Sequence, residues 1–304
     1  MDILVVVARL AQFAAGAILF GTPLFLIYGY RGAPALALPW PRRLWGASAA
    51  VLALGALVSL LAQTAVMAGE PAAAFDREML AIVVGETAFG AAILVRVAAA
   101  VLALAFVLRV PAGRGLWGMS SGLGAVALAS FAWTGHGAAE PGPAGAIHAA
   151  ADVLHLLAAG VWLGALMALA LLLSTRRTPE PDLPATHAAL ARFSGIGSLV
   201  VAALILTGLV NSWFLVGPTR IFAMTDFAYG WLLLIKLALF VGMLGMAASN
   251  RFHLTPALNA ALARGQPGLA LAELRRSITM EALAGLAVLG LVSVLGVLAP
   301  VSAQ

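Results

Sequence analysis

Residues 147–173 read IHAAADVLHLLAAGVWLGALMALALLL. This run decides the fold. About 20 apolar residues, rising about 1.5 Å each as a helix, cross a hydrocarbon core of about 30 Å, and the run is long enough to do so. Its polar interruptions, His148, Asp152 and His155, gather toward one end. Comparable stretches lie on both sides of it, at 3–29, 44–68, 79–108, 116–134, 190–216, 228–249 and 277–299. The expected fold is all-α, a polytopic membrane protein whose eight transmembrane helices take the lipid bilayer as their solvent. The first stretch follows Met1 and Asp2 without a basic segment and is too long for a signal-peptide core, so it reads as a retained anchor.

Composition agrees with this reading. Of 304 residues, 63% are hydrophobic and 10% charged, with a mean hydropathy of +1.04. Soluble domains average about 45–50% apolar and about 25% charged residues. Long apolar runs in place of short alternating strands exclude an outer-membrane barrel. The chain has no cysteine, which removes disulfides and thiolate metal sites. It also lacks a phosphate-binding glycine loop, so nucleotide hydrolysis is excluded and the protein is not expected to be an enzyme. The net charge of +5 does not imply a nucleic-acid partner, because no solvated basic face with stacking aromatics accompanies it.

The basic residues instead report orientation. Arg31, Arg42, Arg43, Arg109, Arg114, Arg176, Arg177, Arg192, Arg251, Arg264, Arg275 and Arg276 fall at one end of the predicted helices, against Arg77 and Arg220 at the other. Short loops rich in Lys and Arg stay cytoplasmic, so both termini are expected in the periplasm. The opposite loops carry Glu70, Asp76, Glu78 and Glu140, a mildly acidic rim that attracts cations.

The two halves of the chain match. Ala88, Phe89 and Gly90 with Arg96 align with Ala228, Tyr229 and Gly230 with Lys236, and Glu86 aligns with Asp226. Leu10 to Gly16 aligns with Leu154 to Gly160, and Arg43 to Gly46 with Arg192 to Gly195. Matched helices run in the same direction, which predicts a parallel four-plus-four repeat. The expected organisation is a single transmembrane domain with halves 1–135 and 136–304.

Chemistry is expected where polar residues are costly. His136 lies between the fourth and fifth helices, and His148, Asp152 and His155 share one face of the fifth. Imidazole suits copper, zinc, iron and nickel, and a thioether adds preference for Cu(I), which Met67, Met79 and Met224 could supply at the same end. His148 and His155 are roughly 10 Å apart along a straight helix. Two arrangements remain open: two successive stations, or one histidine ligating with His136 while Asp152 orients an imidazole. Arg96 and Lys236, deeper in the third and seventh helices, either gate the transport path or anchor the repeats, with Glu86 and Asp226 as expected partners across helices; these two acids are also secondary candidates for the metal site. Glu281 is assigned to the inner end of the path, with capping of the eighth helix as the structural alternative. His187 and His253 are expected as solvated loop histidines.

These residues resemble the copper resistance protein D (CopD) family of bacterial inner-membrane proteins. The resemblance rests on Thr134–Gly137, on His148, Asp152 and His155 followed by Leu156–Gly164, on Thr207–Asn211, on Tyr229 and Gly230 with Lys236, on Asn250, Arg251 and Leu254–Pro256, and on Leu274–Ser277 with Glu281. It implies an eight-helix copper transporter, with His136, His148, Asp152 and His155 at the metal site. It also implies uptake from periplasm to cytoplasm alongside a separate periplasmic CopC-like copper-binding protein. The expected function is copper transport, as Cu(I) or Cu(II), with capture at the outer histidine cluster. Two alternatives are a b-type haem redox protein, which needs axial histidines facing each other from different helices, and a copper-binding receptor without transport.

Overall fold

A computed structural model describes residues 3–30, 36, 38–135, 142–174 and 182–303. Eight helices in it are long and apolar enough to cross a membrane. They are α1 (Ile3–Tyr28), α2 (Pro41–Ala68), α3 (Ala88–Arg109), α4 (Arg114–Ala129, tightening into a 3-10 turn over Ser130–Thr134), α5 (Gly142–Leu172), α6 (Leu183–Leu215), α7 (Ala228–Ser249) and α8 (Gly268–Leu295). No strand occurs among the described residues.

Helix α1 is the hub, packing on α2, α4, α5 and α8. Lipid chains are as apolar as leucine, so helices in a bilayer associate through close packing rather than hydrophobic burial. Small residues permit this. A Cβ on Gly21 of α1 would run into the Gly160 carbonyl of α5, and one on Gly164 would meet the Gly21 backbone. Gly124 of α4 lies equally close to the α1 backbone at Leu19 and Phe20. One turn further, Trp45 Nε1 of α2 donates to Thr22 Oγ1 at 2.6 Å, and Thr22 passes its own proton to the Ile18 carbonyl.

Several helix boundaries differ from expectation, each for a local reason. The predicted third stretch at 79–108 is two helices. Arg77–Glu86 is separate, started by Asp76 accepting from Met79 N, and Thr87 then takes an extended conformation and accepts from Gly90 N to start α3. Asp182 caps α6 by accepting from Ala185 N, so His187 is helical rather than in a loop. A π-helical turn over Asn250–Leu254 carries the seventh span on into Thr255–Ala263, and His253 sits in that turn, exposed. Helix α8 starts at Gly268, which puts Glu281 in mid-helix, so it does not cap a helix start.

The register shared by the third and seventh stretches extends to the backbone. Both helices have 22 residues and begin at the aligned alanines, after residues of nearly identical conformation: Thr87 at φ −119°, ψ 144° and Phe227 at φ −122°, ψ 142°. Gly90 packs on the Val83 carbonyl of the preceding short helix, and Gly230 on the Met224 carbonyl of a preceding 3-10 turn.

The arginines at the other end cap neighbouring helices. Arg42 donates to the carbonyls of Val110 and Val107 at the end of α3, and Arg192 to Gly29 beyond α1 at 2.7 Å. Cations there complement both the unpaired carbonyls and the helix dipoles.

The α1–α5 contact predicts that Gly21→Leu or Gly164→Leu prevents close approach. Overpacking of this kind costs about 1–3 kcal/mol or more. Detergent-purified variants should melt several degrees lower or lose their monodisperse elution peak. Gly195→Ala, at a position with open space around it, should leave both measurements unchanged.

Candidate functional site

The site is a cavity of about 390 Å³ enclosed by α1, α5, α6, α7, α8 and the end of α4. Its lining is mostly apolar. The polar groups are Arg9 from α1, His148, Asp152 and His155 from α5, Asn211 and Ser212 from α6, and Tyr229 and Lys236 from α7. The helical spacing of His148, Asp152 and His155 turns all three to this space, as the sequence predicts.

His155 is the best-defined group. Its Nδ1 lies 2.9 Å from Thr207 Oγ1, and Thr207 sends its only proton to the Ala203 carbonyl at 2.6 Å. The threonine oxygen therefore accepts from the ring, which fixes the Nδ1–H tautomer and leaves the Nε2 lone pair free. His148 is 3% exposed and stacks on Phe214 of α6, with ring centroids 4.6 Å apart and planes 5° from parallel. Its Nδ1 is buried without a hydrogen-bond partner. Asp152 accepts from Asn211 Nδ2 at 3.4 Å and interacts electrostatically with His148, Lys236 and Arg9. Asn211 Oδ1 is likewise buried and unpartnered.

His136 lies outside the described residues. Among those described, no three His, Asp or Glu side chains gather closely enough to hold a metal ion. Nor does the structure bring the secondary candidates to the cavity. Met67 is 46% exposed, Met224 packs at the start of α7 under Gly230, and Glu86 and Asp226 are exposed at helix ends.

The expected pairing of Arg96 and Lys236 with Glu86 and Asp226 is not what forms. Arg96 is 1% exposed and uses neutral acceptors: Gln12 Oε1 at 3.1 Å, Ser130 Oγ at 3.0 Å and Thr134 Oγ1 at 3.1 Å. Its guanidinium lies 3.5 Å from the centroid of the Phe131 ring, a cation–π contact. Ser130 and Thr134 each give their own proton to a local carbonyl and so offer lone pairs to the arginine. Gln12 also donates to Ser59 of α2, so one cation ties α1, α2, α3 and α4 together. Arg96 does not line the cavity, whereas Lys236 does, facing Asp152 across it. The two aligned cations have separate surroundings.

Glu281 is also 1% exposed. It accepts from Trp162 Nε1 of α5 and from Asn250 Nδ2 of the π-turn, both at 2.8 Å. Several residues of the site and its support fall outside the set expected from the sequence: Thr207, Asn211, Ser212 and Tyr229 in the second half, and Arg9 and Gln12 in the first. Arg9 lines the cavity and donates to the Thr134 carbonyl at 3.5 Å, and Gln12 holds Arg96. Their signal was their isolation: a lone cation and a lone amide in an otherwise apolar first stretch.

Eight spans, six of which border a cavity whose polar lining includes histidine, carboxylate and cations, define a multi-pass membrane protein with an intramembrane polar site. The chain belongs to the copper resistance protein D family and is a multi-pass protein of the bacterial inner membrane. A family model described as Copper resistance protein D-like, N-terminal domain, matches residues 1–147, and one described as Copper resistance protein D matches residues 187–295. Copper resistance protein D of Pseudomonas syringae pv. tomato is 39% identical over 306 residues, covering 98% of this chain and 97% of the relative. Copper transport protein CutJ of Bacillus subtilis (strain 168) is 31% identical over 249 residues, covering 79% of this chain and 44% of that longer relative. No solved structure matches the chain.

The Arg96 network predicts a stability effect separate from the cavity. Gln12→Leu leaves a buried guanidinium N–H without its acceptor, at a cost of about 1–3 kcal/mol. Thermal unfolding in detergent should register the loss, while copper affinity measured by chelator competition should stay at the wild-type value. Equal loss of affinity would instead make Arg96 part of the metal path.

Proposed function

We propose that this protein carries copper ions across the inner membrane from periplasm to cytoplasm, capturing them at the cavity end that holds His148, Asp152 and His155. The observation that carries this reading is the His155 imidazole. The Thr207 hydroxyl fixes its tautomer, so the free Nε2 lone pair is oriented for a metal before any metal arrives. His148 and His155 are seven residues apart on one helix, which suits successive stations better than a single shared ion. His136, from the connection between α4 and α5, is the further histidine assigned to the outer station. Imidazole accommodates both Cu(I) and Cu(II).

Lys236 and Arg9 interact electrostatically with Asp152, and an arriving copper ion competes with them for that side chain. Arg96, sealed from the cavity, anchors the helices of the first half. The chain is read as one transmembrane domain with halves 1–135 and 136–304. The distribution of arginine supports periplasmic termini, which places the histidines at the periplasmic end. There the exposed acids Glu70, Asp76 and Glu78 form a rim suited to a separate CopC-like copper-binding protein delivering the ion. The names of the similar proteins, in copper resistance and copper transport, support copper as cargo.

The test is copper uptake into proteoliposomes containing the purified protein. His155→Ala should abolish most of the initial rate. Thr207→Val, which keeps the side chain's size but removes the acceptor of the imidazole N–H, should weaken copper binding about 10- to 100-fold. Tight copper binding with no accumulation under any imposed gradient would make the protein a receptor and sink the transport reading.

A further inference from the structure

The deep end of the cavity adjoins a second buried polar site that metal capture does not use. Trp162, Met243 and Gly285 line this end. The Trp162 ring faces the cavity while its Nε1–H holds Glu281 Oε1 at 2.8 Å. Gly285 stands one helical turn beyond Glu281, and the Met243 methyl group packs against it. On the far side, Asn250 donates to Glu281 Oε2 at 2.8 Å from the π-turn that interrupts the seventh span. Such turns are frequent at functional positions. Asn250 is 7% exposed and its Oδ1 is buried without a partner.

We propose that the ligand of this site is a proton, which Glu281 binds and releases in step with passage of the metal ion. This rests on the transport reading above for its coupling, but not for the proton site itself. Both donors to the carboxyl are neutral, and no Lys, Arg or His among the described residues forms an ion pair with it. The charged and titratable groups on the elements packed against α8 have other positions. Helix α1 carries Arg9 and Tyr28; α5 carries His148, Asp152 and His155; α7 carries Tyr229 and Lys236; the π-turn carries Arg251 and His253 and Arg264 caps the short helix after it, all three exposed; and α8 itself carries Glu273, Arg275 and Arg276.

A carboxylate without a counter-charge is costly at such a position, whereas a hydrogen-bonded neutral acid is not. The Asn250 amide serves either form. Its N–H donates to the carboxylate, and after a half-turn its unpartnered Oδ1 accepts the O–H of the acid. The same geometry disfavours a metal ion, because two N–H dipoles already point their positive ends at the carboxyl oxygens. In each exchange one carboxyl O–H bond forms with a proton taken from water, and the same bond breaks to return a proton to water. No electron moves.

Infrared spectra of the purified full-length protein across a pH series, in H₂O and D₂O, test the site. At about pH 6–8, where solvated carboxyls are ionised, the wild-type spectrum minus that of Glu281→Gln should show a protonated-carboxyl C=O band that shifts in D₂O and in Asn250→Ala and persists in His155→Ala. Absence of that difference band throughout this pH range overturns the proposal. Wild type and Asn250→Ala decide the matter if Glu281→Gln does not fold. In proteoliposomes, an imposed pH gradient should change wild-type copper flux several-fold and leave Glu281→Gln flux unchanged, with copper binding intact in both. Loss of copper binding in Glu281→Gln would make the residue a metal ligand and overturn the proposal. A wild-type protein that shows the band but moves no copper keeps the proton site and overturns the transport reading instead.

Discussion

The bundle depends on the approach of α1 to α5 at Gly21, Gly160 and Gly164, where two backbones meet with no side chain between them. In a bilayer this close contact substitutes for the hydrophobic drive that a soluble core would have. It fixes which face of α5 is occupied. With Gly160 and Gly164 against α1, the residues His148, Asp152, His155, Leu156 and Ala159 are left to line the space toward α6, α7 and α8. The histidines face a cavity because the glycines of the same helix face a neighbour.

The polar groups of the bundle divide by how fully they are satisfied. Around Arg96 every hydroxyl gives its proton to a local carbonyl and its lone pair to the cation, a closed network that rigidifies the first half. Around the cavity the accounting stays open: His148 Nδ1 and Asn211 Oδ1 lack partners, and His155 has one nitrogen fixed and one free. Buried polar groups are seldom left unsatisfied without a reason, and the proposed ion site would supply one.

How legible each feature was in the sequence follows from the kind of interaction behind it. Span number was plain because length and apolarity are local properties. The register of Ala88 with Ala228 was plain because each glycine two residues on, Gly90 and Gly230, meets a carbonyl at close range. The break at Thr87 and the π-turn at Asn250 escaped notice because a single side-chain cap or one slipped hydrogen bond decides each, and neither is visible in apolarity or spacing. The partners of Arg96 were misjudged because charge suggested carboxylates, while the low dielectric is met as well by Gln12, Ser130 and Thr134. Candidate site residues on one helix, His148, Asp152 and His155, could be grouped by spacing. Arg9 and Lys236 reach the same cavity from other helices, and only the fold shows it.

In the register that pairs the halves, Arg96 corresponds to Lys236 and Gln12 to Leu156, and Asp152 and His155 correspond to Ala8 and Ala11. The first half therefore places an amide where the second has leucine, and small apolar residues where the second has ionisable ones. The amide lets α1, α2, α3 and α4 close over Arg96, while Arg9 of the same α1 turns to the cavity. The leucine leaves Lys236 unsealed, so the second half keeps an open space between a cation and a carboxylate, lined with imidazole. The closed network around Arg96 and the open cavity beside Lys236 thus lie on opposite sides of the α1–α5 glycine contact, which holds the two together.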